Sequence, residues 1–239
     1  MSKLIPSILM ILMVGGVSAQ DKLTYTFVAG FSISFFDSPG APHNNPELVE
    51  EFSKASRASL EVGINADMHL SDLWTLSSGL EYVERGGAYR TKNPGVIYVN
   101  QYSGAKEDDA YNYLRYRLSY LELPLRLKFN MNGLIKPEST GKLNILAGPT
   151  AMLNLASTRR YNIFEGNVEI EEKWDADKLS GAQTLVLGLN AGIEWQQGPA
   201  TIYAKYLRNL TDLYDTSQSG YESFDTKMHS ITLGMGFQF

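Results

Sequence analysis

Along most of the chain, apolar and polar side chains take turns residue by residue. This is the two-residue period of a strand with one face in an apolar medium and the other in a polar one. The first such segment sets Tyr25, Phe27, Ala29, Phe31, Ile33 and Phe35 against Thr26, Val28, Gly30, Ser32 and Ser34. Leu60, Val62, Ile64, Ala66, Met68 and Leu70 then oppose Glu61, Gly63, Asn65, Asp67 and His69, and from Trp74 onward Leu76, Leu80 and Tyr82 oppose Ser77, Gly79, Glu81 and Arg85. The fourth segment is the sharpest, with Leu121, Leu123, Leu125, Leu127 and Phe129 on one side and Glu122, Pro124, Arg126 and Lys128 on the other. A helix would spread those charges around its circumference. Four more segments follow, from Leu143 to Leu155, Leu185 to Trp195, Ile202 to Tyr206 and Ile231 to Phe239, so the pattern predicts eight strands.

The connections alternate too. Those after strands two, four and six are short, around Ser71-Asp72, Asn132 to Gly141 and Gln196 to Pro199, while the other four are long and rich in Gly, Pro, Asn, Asp and Lys. Short turns at one rim and long loops at the other are the layout of an all-β, eight-stranded antiparallel up-and-down transmembrane β-barrel with periplasmic turns and extracellular loops. Val96 to Val99 and Val168 to Ile170, inside the second and third long loops, are β-prone and predict hairpins that extend past the membrane.

The chain begins Met1-Ser2-Lys3, continues with an apolar run from Leu4 to Val17, and reaches Val17-Ser18-Ala19 before Gln20. One early positive charge, a short apolar stretch and small residues before the junction form an export signal cleaved after Ala19. The run is shorter than the roughly 20 residues of a spanning helix. Residues 1–19 are therefore read as signal peptide and 20–239 as one barrel domain. The rest of the chain has no apolar run of helix-spanning length, so it crosses a membrane as strands or not at all.

Two closed barrels fit this alternation, a soluble lipocalin-like one with an apolar inside and a membrane one with an apolar outside. The charges decide between them. One face of the strands carries Glu61, Asp67, Glu81, Arg85, Glu122, Arg126, Lys128, Glu194 and Lys205. An eight-stranded lumen holds little more than packed side chains, so the large Leu, Phe, Ile and Trp residues belong outside and the charges, spaced by Gly, Ser and Thr, pair within. Tyr25, Trp74, Phe129, Trp195 and Phe239 fall at the turn rim, and Tyr82, Tyr120 and Tyr206 are expected in an outer aromatic girdle facing lipid.

Composition removes several chemistries. A net charge of −5 over 239 residues gives no field for nucleic acid, and with no Cys and three His neither a Cys-ligated metal nor a His-rich centre is expected, so no cofactor or metal is assigned. His43, His69 and His229 are scattered, and His229 with a loop Ser or Asp is the one arrangement that would suit a lipid-modifying enzyme. Arg115, Arg117, Arg159, Arg160 and Arg208 gather near the outer strand ends, with Arg90 and Lys92 in the second long loop; all are candidates for contact with anionic lipid headgroups such as lipopolysaccharide. Pro124 and Pro149 interrupt strands four and five and predict a local kink across that pair.

Three stretches carry a family likeness: Leu80-Glu81-Tyr82 with Arg85-Gly86-Gly87, Tyr120-Leu121-Glu122-Leu123-Pro124-Leu125 leading to Lys128-Phe129, and Gly148-Pro149 with the later Gly188-Leu189-Asn190-Ala191-Gly192. With them the sequence resembles the outer-membrane β-barrel family of Bacteroidota that includes PorT-like proteins. The resemblance implies an eight-stranded barrel in a Gram-negative outer membrane, with some relatives assisting protein secretion, and it carries no catalytic residue. The expectation is a non-enzymatic barrel with a plugged lumen whose loops contact an envelope or secretion partner or lipid. The rival expectations are a narrow solute channel and a lipid-modifying enzyme.

Overall fold

The computed structural model describes residues 23–37, 53–93, 98–99, 106–107, 110–133, 141–165, 168–174, 182–213 and 227–239. Among them are eight long strands: β1 (Leu23–Phe36), β2 (Arg57–His69), β3 (Trp74–Asn93), β4 (Ala110–Asn130), β5 (Lys142–Glu165), β6 (Leu185–Gln197), β7 (Ala200–Asn209) and β8 (Met228–Gln238). Each pairs antiparallel with the next, and β8 returns to β1 through registers such as Phe31↔Leu233, so the sheet closes. Closure leaves no strand edge in the bilayer, which is what lets strands cross hydrocarbon. No described helix is long and apolar enough to cross a membrane.

The faces settle the choice between the two barrels. Leu60, Leu233 and Met235 are 70%, 62% and 69% exposed on the outside, while Glu61, Glu81, Glu122 and Arg85 are at most 2% exposed within. The greasy face is thus the outer one, and the charged face lines the axis.

Local chemistry shapes the turn rim. At β2–β3 the Ser71 hydroxyl accepts the amides of Leu73 (3.3 Å) and Trp74 (3.1 Å). At β6–β7 Gly198 takes φ 58°, a left-handed conformation that glycine adopts without Cβ strain. After β4 a single 3-10 turn, Met131–Gly133, follows, and Asn132 accepts the amide of Leu143 at 2.9 Å. Tyr25 stacks on Phe239 (6.2 Å between centroids) and Trp74 lies 4.7 Å from Phe129, which forms the expected aromatic rim.

Pro124 faces Thr150 and Pro149 faces Leu189, so the two prolines occupy neighbouring rows of β4 and β5. The Pro124 carbonyl accepts the Ser78 hydroxyl at 2.9 Å, which ties β3 to β4 where the ladder is interrupted.

The loop side extends further than the alternation alone predicts. β3 runs to Asn93 and β4 starts at Ala110, so Arg90 and Lys92 lie on a strand and not in a loop. As expected, the β-prone loop stretches form hairpins: Val168–Trp174 pairs with Arg159–Glu165, and Tyr98–Val99 pairs with Lys106–Glu107. Tyr120 corrects an expectation, since it is 0% exposed and points inward and therefore takes no part in a lipid-facing girdle. It shares parity with Glu122 and Pro124 on β4, and that parity faces the lumen. Tyr82 and Tyr206 do sit outside, 38% and 41% exposed.

Candidate functional site

All nine charged residues expected in the lumen lie there in three layers, the second and third joined through Glu61. Nearest the turns, Lys128 on β4 bonds Asp67 on β2 and Glu194 on β6, both at 2.8 Å, and Asn144 on β5 donates to Glu194 at 3.1 Å. Above them Arg126 forks onto both oxygens of Glu81 at 2.8 and 2.7 Å, and Lys205 on β7 reaches Glu81 (3.2 Å) and Glu61 (2.5 Å) from across the barrel. Tyr203 donates its hydroxyl to Glu61 at 3.2 Å. In the third layer Arg85 on β3 forks onto Glu122 (2.7 and 3.0 Å), lies 3.8 Å from Glu61, and donates to the hydroxyls of Ser32 (3.2 Å) and Ser230.

Five carboxylates thus face four cations, and each guanidinium makes the two-pronged contact that planar ions favour. Buried charges cost several kcal/mol each unless paired, and here each has a partner from another strand. The Arg85-Gly86-Gly87 motif gains a physical reading from its surroundings. A Cβ on Gly87 would lie 2.4 Å from the Phe36 ring, and one on Gly86 (φ 146°) would lie 2.1 Å from the Tyr116 carbonyl oxygen. The glycines let a bulky ring and a neighbouring strand close over Arg85.

That closure is a feature the sequence reading missed. Over the third ionic layer, at the loop side, the lumen is filled by Phe36, Val83, Tyr116, Leu118, Tyr120 and Met152, with Val186, Leu207, Leu213 and Met228 completing the cluster. The interior is therefore polar toward the turns and apolar toward the loops. At the turn mouth a polar vestibule of about 480 Å³ opens, with Asp67, Lys128 and Glu194 as its floor and His69, Lys142 and Gln196 among its walls. His69 holds Thr75 at 3.0 Å, a contact that braces the first turn.

The arginines expected at headgroup level divide. Arg115, Arg117 and Arg208 are exposed on the outer face near the loop rim. Arg117 pairs with Glu84, and Arg57, a residue the alternation did not single out, joins the same Glu84 at 3.6 Å. Arg208 pairs with Asp37 at 3.2 Å on the far side of the barrel. The backbones of Arg159 and Arg160 lie on β5 opposite Tyr116 and Arg115, and their side chains fall outside the described residues. His43 and residues 1–19 also lie outside them.

His229 meets only part of the enzyme expectation. Asp37 and Tyr206 engage its two ring nitrogens and Phe35 stacks on its face at 5.3 Å, so the ring is held as a strut between β1, β7 and β8. Among the described residues no group of His, Asp and Glu could hold a metal ion.

The family described as "Outer membrane protein beta-barrel domain" matches residues 18–215. No curated protein matches the chain. Among solved structures the chain is similar to Neisserial surface protein A (13% identity, TM-score 0.41, covering 90% of this chain and 97% of that one). It is similar also to Ail, the attachment invasion locus protein of Yersinia pestis (13% identity, TM-score 0.38, 91% and 99%), and to the outer membrane protein OprG from Pseudomonas aeruginosa (12% identity, TM-score 0.41, 90% and 95%).

Proposed function

Because the chain belongs to the outer-membrane β-barrel domain family of Gram-negative envelopes, we propose that it is a non-enzymatic integral barrel that works through its outer surface and its four long loops. The carrying observation is the doubly closed lumen. Interlocked ion pairs fill the turn side and an apolar cluster fills the loop side, so the described residues leave no continuous polar path for a solute. What remains available for function is the exterior: an apolar belt in lipid, arginines at its outer margin, and the loops beyond.

Arg115, Arg117 and Arg208 stand just outside the level of Tyr82 and Tyr206, the depth at which anionic headgroups begin. Together with Arg159 and Arg160 they form the lipid contact of this reading. The loops form the contact with an envelope or secretion partner, in keeping with the PorT-like motifs. Affinity isolation of the intact protein from its native envelope tests both halves. The wild type is expected to bring anionic lipid and a defined envelope protein, and the Arg115→Gln, Arg117→Gln, Arg208→Gln variant to lose the lipid and keep the protein. Steady conductance of the purified wild type in planar bilayers would overturn the reading in favour of a channel.

Export is part of the same proposal. Residues 1–19 are removed after Ala19, and intact-mass measurement of the protein from outer membranes is expected to fit a chain beginning at Gln20.

A further inference from the structure

Positive charge does not stop at the rim of the membrane. Arg117 marks that rim, because it shares Glu84 with the hydroxyl of Tyr82 in the outer girdle. Arg115 and Arg117 are exposed on the outer face of β4, and beyond them the register between β3 and β4 runs unbroken to Asn93↔Ala110. Parity therefore places Arg90 and Lys92 on the same face as Arg115, opposite Tyr113 and Tyr111. On the other side of β4, Arg115 lies opposite Arg160, and Arg160 lies opposite Lys173 of the hairpin strand.

That last row runs against the usual rule of sheets. Like charges directly opposite one another destabilise strand pairing, and here three adjacent strands each contribute a cation to a single row. Among the described residues, the carboxylates on this face are Glu84 below the row and Glu171 and Glu169 on the hairpin strand, so the cations outnumber them. Glu84 is already shared by Arg117 and Arg57. Anions from outside the chain stabilise such a surface.

The height of the patch selects the anion. Two residues of a tilted strand rise about 5 Å. The row of Arg115 thus stands about 5 Å above Arg117, that of Arg90 and Tyr113 about 10 Å, and that of Lys92 and Tyr111 about 15 Å. A headgroup layer is only roughly 5–8 Å thick on each side of the hydrocarbon, so phospholipid phosphates reach Arg117 and the first row and no further. The upper rows call for negative charge carried well above the acyl chains. Tyrosine, the residue opposite both upper cations, combines a flat apolar ring with a hydroxyl and suits the face of a sugar.

We propose that the outer face of β3, β4, β5 and the hairpin strand binds an anionic glycolipid of the surrounding leaflet, one that carries phosphate or carboxylate groups on its sugars. The proposal rests on the lipid contact at the outer margin and names the class of lipid. Membrane-level phosphates meet Arg117, and sugar-borne anions bridge the row of Arg115, Arg160 and Lys173.

Three probes separate the sources of charge: lipopolysaccharide with a phosphorylated core, lipid A lacking the core, and the core oligosaccharide freed of its lipid. Titrated into the intact barrel in detergent micelles, the lipopolysaccharide is expected to bind roughly ten-fold or more tightly than lipid A, the worth of one or two charge-assisted contacts. Lys173→Gln and Arg90→Gln are each expected to narrow that gap, since lipid A has no anion at their height, whereas Arg117→Gln weakens the binding of both lipids. Equal affinity for the two lipids in the wild type overturns the proposal while the headgroup contact stands; binding of neither removes both. A gap that Lys173→Gln and Arg90→Gln both leave intact also overturns it. Core oligosaccharide bound as tightly as lipopolysaccharide would assign the face to a free polysaccharide and overturn the membrane source. Because Lys173→Gln removes repulsion from the row, that variant without ligand is expected to melt no lower than the wild type, which separates lost affinity from lost fold.

Discussion

Replacing Glu81 with alanine is expected to lower the stability of the folded barrel by about 3–5 kcal/mol, the range for a buried ion pair that loses one partner. Glu81 is 0% exposed, accepts both prongs of Arg126 and binds Lys205. Its removal leaves the Arg126 guanidinium buried with no carboxylate in its grasp. Lys205 suffers less, because Glu61 remains 2.5 Å away. Equilibrium unfolding in urea with lipid vesicles measures the loss, and a double-mutant cycle identifies its origin. In the Glu81→Ala, Arg126→Ala double variant the stranded charge is gone, so the combined loss is expected to fall short of the sum of the single losses by about 0.5–3 kcal/mol, the coupling of residues in contact. Additive losses would show that the pair is solvated independently and that the lumen is not the interlocked plug described above.

The residues of that plug were legible in the sequence because a strand has a period of two. Once the oily face is assigned to lipid, parity alone delivers Glu61, Glu81, Glu122, Arg126 and the rest to the axis. The pairing was not legible. Glu61 meets Lys205 across 144 positions of sequence, and Arg85 meets Ser230 across 145, contacts that depend on how the closed sheet is staggered. Pattern fixes the face a residue occupies but not its height along the axis.

The apolar cap was overlooked for a different physical reason, and it corrects how the alternation is read. Near the loop side the period continues while its polarity reverses. On β4, Tyr116, Leu118 and Tyr120 point in and Arg115 and Arg117 out; on β3, Val83 points in and Glu84 out; on β7, Leu207 points in and Arg208 out. In hydrocarbon the outer face must be apolar, whereas beyond the headgroups it is bathed in water and the inner face becomes an ordinary hydrophobic core. The reversal therefore marks the level at which the barrel leaves the membrane. It also explains Tyr120, an aromatic whose type suits a lipid girdle but whose parity faces the axis. Between residue type and parity, parity prevails, because flipping one side chain to the other face would require a register slip of the whole strand.

The same reversal predicts where a charge on the outer face is tolerated. Leu233 lies in the middle of β8, opposite Phe31 on one side and Ala204 on the other, and is 62% exposed in the apolar belt. Leu233→Arg is expected to cost about 2–4 kcal/mol in a bilayer, the range for an arginine on the lipid face near the midplane. At Tyr206, on the neighbouring strand and close to the level where the outer face turns charged, the same change is expected to cost about 0–1 kcal/mol for its depth alone. Tyr206 also bonds His229, so Tyr206→Phe serves as the reference that separates the lost hydrogen bond from the effect of depth. Folding equilibria of the three variants in vesicles give the comparison. A penalty at Leu233 that exceeds the one at Tyr206 after this subtraction places the belt in lipid. Equal penalties at both heights would mean that the outer face meets no hydrocarbon and would remove the membrane reading at its base.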